Sequence, residues 1–406
     1  MLKGNAIIAQ SGGPSAVINN SACGVIQTWF AKAAGLGSIY AGISGIKGIL
    51  EENIIDLAAQ DASKIAALRH TPGAGLFSCR YKVSAEDQQK MVGIFKKLNI
   101  RYFFYNGGND SMDTCYKTWL AAEEQGWEMC VIGVPKTIDN DLPYTDHTPG
   151  FGSAAKYIAA SIRETGIDLE SVSTKNKVCI SEIMGRNAGW LTAAASLSKR
   201  YENEAPHLIY LPETAFSKEQ FLGDVQAVYD KYGYCYVAAS EGLHYADGSF
   251  LSDSGVKDAF GHAQLSGCGE VLKRWVEEEI GVKTRCNTPG TMQRSAMHYA
   301  SKTDADEAYL CGQTAVEYAL TGKNGVMVTI DRVADAPYQA KMGEIGLDKV
   351  ANVEKKVPLE WINAQHNYVT EDFLRYCRPL VKGVVEVPEK DGLPDYVRLD
   401  FSKGRV

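Results

Sequence analysis

The chain has 406 residues, 45% of them hydrophobic and 22% charged, an ordinary composition for a soluble globular protein with room for two domains around substantial cores. Its net charge of −7 argues against nucleic acid or a membrane surface as a general partner, so an anionic ligand would need a local basic pocket. The ten cysteines include no C-x-x-C pair and no Cys/His cluster with zinc spacing, which predicts buried reduced thiols in a cytosolic protein.

Asn5–Gln10 reads as a first strand; its apolar run is too short for a signal peptide or a membrane span. Ser11-Gly12-Gly13-Pro14-Ser15 follows, then a helix-like run over 16–34. A strand, a glycine pair and a helix start can bind an anion, although a plain strand–helix turn fits the same residues. The turn is neither G-x-G-x-x-G nor a loop ending in G-K-[ST]. Thr71-Pro72-Gly73-Ala74-Gly75-Leu76 is a second glycine-rich turn and leads to Arg80, which a surface position would also explain. Met91, Ile94, Phe95 and Leu98 stand at helical spacing in 86–98 and predict an amphipathic helix.

Arg101–Tyr105 predicts a strand, followed by Asn106-Gly107-Gly108-Asn109-Asp110-Ser111 and a helix over 112–124. Asp110 and Ser111 suit N-caps; capping does not account for the two glycines before them. Residues 129–133 predict a buried strand running into Val134-Pro135-Lys136-Thr137-Ile138-Asp139-Asn140-Asp141. This polar run therefore falls at a strand's C-terminal end, where open α/β sheets bind ligands. By itself it could be a solvated strand exit. It could equally be a carboxylate base beside a cation, the pairing phosphoryl transfer needs.

Thr148-Pro149-Gly150-Phe151-Gly152 reads as a hinge, with a domain boundary near 150 and a helix over 153–165. A strand over 177–182 leads to Met184-Gly185-Arg186-Asn187-Ala188-Gly189 and a helix over 190–198. Further elements are a strand at 207–211, a helix at 217–231 and a strand at 234–239 ending in Ser240-Glu241-Gly242. Residues 263–279 read as mostly helical, 283–287 as a strand, 289–294 as a polar turn, 305–319 as helix and 325–330 as a strand. The alternation predicts an α/β protein with parallel sheets and crossover helices. The last 50 residues carry scattered apolar groups and suggest no chemistry. Polar segments at four strand ends, with Arg80, Glu241, Arg285 and Arg294, would suit a sugar phosphate and a second phosphate ligand.

Ser11-Gly12-Gly13, Gly107–Ser111, Pro135–Asp141, Met184-Gly185-Arg186 and Gln293-Arg294 occur in the order seen in the phosphofructokinase family, which the chain resembles over about residues 4–330. The resemblance implies two Rossmann-like α/β domains with mainly parallel sheets and an active site in the cleft between them. Residues 1–150 with about 298–356 would form a phosphoryl-donor domain, and 151–297 with about 357–406 a sugar-phosphate domain. Within the family the chain is similar to the pyrophosphate-dependent branch. ATP-using members have glycine at the positions of Asp110 and Lys136. Asp110 would exclude the α-phosphate of ATP sterically and by like charge, and Lys136 would stabilise charge on the transferring group.

The implied reaction is reversible transfer from pyrophosphate to the C1 hydroxyl of fructose 6-phosphate. Asp139 would take the hydroxyl proton, and Lys136, Arg186 and Asp110 would complete the catalytic set. Thr137, Ile138, Asp139, Asp141, Met184, Gly185, Arg186, Glu241, Thr291 and Arg294 would hold the sugar phosphate. Gly13, Arg80, Asp110, Ser111 and Lys136 would hold pyrophosphate, and Asn109 the Mg²⁺. Lys177 and Arg285 match basic residues that members often lend to a neighbouring subunit, which implies a cytoplasmic homodimer or homotetramer. Three departures stand out, one being a segment beyond about residue 350 that does not match compact ATP-type members and could serve assembly. Asn109 replaces an aspartate ligand of Mg²⁺, and Thr291 replaces a His or Tyr. A silent regulatory subunit would be expected to lose Asp139, Lys136 or Arg186. A nicotinamide oxidoreductase would need a G-x-G-x-x-G turn that 11–15 lacks.

Overall fold

The computed structural model describes residues 1–33, 35–174, 177–257, 263–265 and 267–406. They form two compact units, the first of Met1–Ser153, Arg294–Glu354 and Lys382–Val406, the second of Ala154–Gln293 and Lys355–Val381.

Strands β1 (Asn5–Ser11), β2 (Ile39–Gly42), β3 (Ile54–Asp56), β4 (Ser78–Cys79), β5 (Ile100–Gly107) and β6 (Cys130–Pro135) belong to the first unit. Strands β7 (Val178–Ile183), β8 (Leu208–Tyr210), β9 (Cys235–Ser240), β10 (Asp253–Lys257), β11 (Ala263–Leu265) and β12 (Thr284–Asn287) belong to the second. Strands β13 (Val326–Asp335) and β14 (Tyr338–Gly346) return to the first.

The first sheet has the order β14-β13-β6-β5-β1-β2-β3, with β4 also paired to β1. Its central neighbours run parallel; only β14 on β13 and β3 on β2 are antiparallel. Successive side chains of a strand point to opposite faces. Ile8 and Phe104 thus join one core with Trp29 and Ile26, and Ile7 and Phe103 join the other with Phe95 and Met91. Both faces are covered, and the central strands read as continuous apolar runs for that reason. The register places Gln10 opposite Asn106 and Asn106 opposite Val134. The C-terminal ends of β1, β5 and β6 are therefore level, and the polar segments that follow them leave the sheet at one edge.

The second sheet, β12-β7-β9-β8, is parallel throughout. Ile183 pairs with Ser240, so Met184–Arg186 and Glu241 also emerge side by side.

Several elements differ from the sequence expectations. The helix after β5 spans Asn109–Glu124, with Gly108 at its N-cap. Asp110 and Ser111 lie in its first turn and are not caps. The span 263–279 is not one helix. Ala263–Leu265 pairs antiparallel with Asp253–Lys257, and the helix begins at Cys268, after Gly267 in the left-handed region (φ +91°). Ser266, within that expected helix, lies outside the described residues. The carboxylate of Glu182 accepts from the backbone N–H groups of Gly267 and Gly269 and so fixes that start. The expected 153–165 helix runs over Phe151–Ser171. Its start is set from a distance, because Asp304 accepts from the N–H groups of Gly150 and Ser153.

Residues 382–406, expected with the second unit, belong to the first. Gln60 donates to the Asp400 carbonyl and accepts from its N–H, and the Val406 N–H donates to the Ile54 carbonyl. These are backbone-anchored bonds that a scattered apolar pattern does not announce. None of the ten cysteines forms a disulfide, and burial pushes the thiols of Cys23 and Cys130 up to about 12. Among the described residues no helix is long and apolar enough to cross a membrane.

Candidate active site

In the first unit three loops converge at the level ends of β1, β5 and β6. Gly12 takes a left-handed turn (φ +74°), which brings the chain round to Gly13. A methyl group on Gly13 would lie 2.7 Å from Nη1 of Arg294 and 3.7 Å from Nη2 of Arg80. A larger residue here would push the Arg294 guanidinium away from the backbone. Lys136 leaves the end of β6 and donates from Nζ to the Gly13 carbonyl at 2.7 Å. Gly107 is equally constrained, since a methyl there would lie 2.0 Å from Ser111 Oγ.

The loop 136–150 is tied to itself. The Thr137 hydroxyl accepts from the Asp139 N–H at 3.0 Å, and the Thr148 hydroxyl donates to the Thr137 carbonyl at 2.8 Å. Asn140 turns left-handed (φ +55°) and its side-chain carbonyl accepts from the Thr148 N–H at 3.0 Å. This turn holds Ile138, Asp139 and Asp141 in place.

Charge is concentrated here with little water. Lys136 is only 3% exposed. Burial drives its ammonium down to about 8; Arg294 and Arg80 act the same way, while Asp139 and Asp141 oppose them. Asp141 is raised well above the ordinary carboxylate range, first by burial, then by the charge of Asp139 and that of Glu354. Asn109 donates from Nδ2 to Asp141 Oδ2 at 3.1 Å. The other oxygens of this pair, Asn109 Oδ1 and Asp141 Oδ1, are buried and accept no hydrogen bond. Two buried, unsatisfied oxygens suit a hard divalent cation that takes oxygen ligands and keeps several waters. Among the described residues no group of three or more His, Cys, Asp or Glu side chains could hold a metal, so any ion would need its remaining ligands from substrate and water.

In the second unit the Met184–Gly189 loop is gripped from three sides. Gln293 accepts from the Met184 N–H at 3.1 Å, Glu241 from the Gly185 N–H at 3.2 Å, and Ser240 donates to the Gly185 carbonyl at 2.6 Å. Gly185 has φ +142°, and a methyl on Gly242 would strike the Arg186 carbonyl at 1.8 Å. Both glycines are therefore obligatory for the loop that presents Arg186. Glu213, absent from the sequence reading, accepts from the N–H groups of Gly189 and Val357 at 2.8 and 3.0 Å and ties this loop to the segment after Glu354. No local pattern marks it, because its partners are 24 and 144 residues away.

The expected residues thus divide. Gly13, Arg80, Asn109, Asp110, Ser111, Lys136, Thr137, Ile138, Asp139, Asp141 and Arg294 belong to the first unit. Met184, Gly185, Arg186, Glu241 and Thr291 belong to the second, as do Lys177 and Arg285. The boundary runs between Gln293 and Arg294, and Arg294, expected on the sugar phosphate, has its guanidinium beside Gly13. Lys177 and Arg285 are not brought to the Met184 loop. Lys177 precedes β7 and Arg285 pairs with Cys179 near its start. Met184 follows the opposite end of that strand, about 20 Å away at about 3.3 Å per residue. Arg285 instead pairs with Asp168 at 3.1 Å, and the Lys177 ammonium sits over the Tyr229 ring.

Glycine-lined strand ends, a buried lysine, clustered guanidinium groups and carboxylates define a phosphate-handling protein of the α/β class. The chain belongs to the phosphofructokinase family: residues 5–319 match the family model described as phosphofructokinase. It is 45% identical to a pyrophosphate–fructose 6-phosphate 1-phosphotransferase of Methylococcus capsulatus, over 97% of this chain and 96% of that one. It is 46% identical to a protein of the same name from Xanthomonas campestris, over 98% and 97%. The crystal structure of a pyrophosphate-dependent phosphofructokinase from Nitrosospira multiformis is similar with a TM-score of 0.92, at 44% identity over 99% of this chain and 98% of that one.

Proposed function

We propose that this chain transfers a phosphoryl group reversibly between pyrophosphate and the C1 hydroxyl of fructose 6-phosphate, giving fructose 1,6-bisphosphate and phosphate. The observation that carries the donor assignment is Lys136, a buried ammonium 2.7 Å from the Gly13 carbonyl. Arg80, Arg294 and Lys136 around a glycine loop supply cations for a compact, highly charged donor. Asp110, exposed in the first helical turn after Gly108, puts a carboxylate where a nucleotide's phosphate chain would continue, and so favours pyrophosphate over ATP.

Asp139 takes the proton from the C1 hydroxyl as that oxygen attacks phosphorus, and Asp141 and Thr137 hold the loop that carries it. Lys136 and Arg186 offset the charge of the transferring group, and phosphate leaves. Met184, Gly185 and Glu241 orient the sugar phosphate, with Thr291 at its edge. Asn109 Oδ1 and Asp141 Oδ1 would hold Mg²⁺, which supplies charge neutralisation on the phosphate oxygens when bound. The first unit then serves the donor and the second the sugar phosphate. Lys177 and Arg285, remote from the Met184 loop within their own unit, complete the site of a second copy in a homodimer or homotetramer. A cytoplasmic location accords with phosphorylated metabolites as substrates.

The test is phosphorylation of fructose 6-phosphate by the purified protein with Mg²⁺, with pyrophosphate or ATP as sole donor. Turnover with pyrophosphate alone is expected. Turnover with ATP alone overturns the donor assignment, and silence with both overturns the catalytic reading.

A further inference from the structure

Arg80 follows β4, and the segment before it, 71–77, contains Pro72, Gly73 and Gly75 and a left-handed Phe77 (φ +56°). Such a stretch has weak conformational preferences of its own. Two amides buried beneath the glycine loop set its path. Gln10, the penultimate residue of β1, and Asn19, in the first turn of helix Ile18–Lys32, are both fully buried. The Gln10 side-chain carbonyl accepts from the Leu76 N–H at 2.9 Å, and its Nε2 donates to Asn19 Oδ1 at 3.1 Å. Asn19 Oδ1 also accepts from the Gly75 N–H at 2.7 Å, and its Nδ2 donates to the Thr71 carbonyl at 2.8 Å. Donor and acceptor alternate through the chain of bonds, so each amide has one orientation. A methyl on Gly75 would lie 3.0 Å from Asn19 Oδ1, which explains the glycine.

The grip continues to the arginine. The Ser78 hydroxyl donates to the Gly12 carbonyl at 2.7 Å, and the Gly12 N–H to the Cys79 carbonyl at 3.1 Å. From outside, the C-terminal stretch closes on the same segment. The Val397 N–H donates to the Thr71 hydroxyl at 3.2 Å, and Phe401 stacks edge-on against Phe77 with ring centres 5.1 Å apart.

We infer that Gln10, Asn19 and Phe401 are positioning residues for the donor. They hold 71–79 as a splint between the amide pair and the C-terminal stretch, and this fixes Arg80 beside Gly13. The inference rests on the reading of Arg80 as a pyrophosphate ligand. It also assigns the last residues of the chain a part in donor binding. An error of about 1 Å at a charge-clamping arginine can cost up to about a hundredfold. The Met184 loop is held by other residues, Gln293, Glu241 and Ser240.

The test uses Gln10→Met, which keeps bulk and removes the amide's hydrogen bonds to Leu76, Asn19 and the Ile18 carbonyl, and Phe401→Ala, which trims a half-buried ring at the margin of the first core. KM for pyrophosphate and for fructose 6-phosphate are measured in each, alone and combined with Arg80→Ala. Each single variant is expected to raise KM for pyrophosphate by about tenfold and to change that for fructose 6-phosphate by less than about twofold. Added to Arg80→Ala, neither should raise KM for pyrophosphate further, since a residue acting through Arg80 has nothing left to position. Equal effects on both substrates, or penalties that add to that of Arg80→Ala, mean a merely structural role and overturn the inference. If Gln10→Met does not fold, the Phe401→Ala pair of measurements decides. Should Arg80→Ala leave the pyrophosphate KM unchanged, the reading of Arg80 as donor ligand falls and the inference falls with it. An impaired Arg80→Ala beside unaffected Gln10→Met and Phe401→Ala overturns the inference alone.

Discussion

His147 lies buried between two carboxylates of the first unit, and replacing it should change how stability responds to pH. The ring is 1% exposed. Its Nδ1 lies 2.7 Å from Asp146 Oδ1 and its Nε2 2.7 Å from Glu307 Oε2. Asp146 is also held by Arg332 at 2.9 Å, and the Tyr338 hydroxyl donates to Glu307 Oε1 at 2.6 Å. Burial alone pushes the imidazole toward its neutral form. The carboxylates of Glu307 and Asp146 outweigh it and bring His147 up to about 9. Measured against an unfolded value near 6.5, that elevation is worth about 3 kcal/mol. A folded-state pKa above the unfolded one gives stability that is full below about pH 6.5 and is lost as pH rises through about 9. Asp146 acts in the opposite sense. Burial raises it, but His147 and Arg332 together hold it below its ordinary value, so its contribution is lost as pH falls.

The assay has two parts. Urea unfolding between about pH 6 and 10 should show the wild type losing about 3 kcal/mol across the alkaline limb, a loss absent in His147→Gln. Imidazole NMR should show one histidine titrating near pH 9, missing from the variant. His147→Leu at about pH 7 should cost about 3–5 kcal/mol, because two carboxylates lose their buried counter-charge. Parallel pH dependence in wild type and His147→Gln, with no histidine titrating above about pH 8, would refute the reasoning.

In the role proposed for it, Lys136 needs its proton to stabilise a transferring phosphoryl group. Since it sits at about 8, kcat/KM for pyrophosphate should fall as pH rises through that value, and the residual activity of Lys136→Arg should not. Asp139→Asn should lower kcat by about 10²–10⁴-fold while fructose 6-phosphate affinity, measured by calorimetry, stays within about threefold; near-normal turnover removes Asp139 as the base. Asp110→Gly with Lys136→Gly should admit ATP weakly in an equilibrium binding assay, and undetectable binding would show that sterics and charge at these two positions do not decide the donor.

The alternation of strands and helices, and the segments that end the strands, were legible in local pattern. A strand buried on both faces is written as an unbroken apolar run, as in Ala6–Ala9 and Tyr102–Tyr105. Gly12, Gly107, Gly185 and Gly242 mark places where the backbone turns sharply or a side chain would collide. The polar segments that carry Lys136, Asp139 and Arg186 could be located for a similar reason, since strand-end polarity is a property of neighbouring residues. Which distant groups hold these segments is a matter of the folded chain. Asp304 caps a helix 151 residues before it, Glu182 starts another 87 residues after it, and Gln60 anchors a C-terminal stretch 340 residues on. Such bonds use single polar residues with no periodicity, so nothing local announces them. The depressed pKa of Lys136, the approach of Arg294 to Gly13 and the separation of Lys177 and Arg285 from Met184 likewise depend on burial and register, which exist only once the sheets have formed.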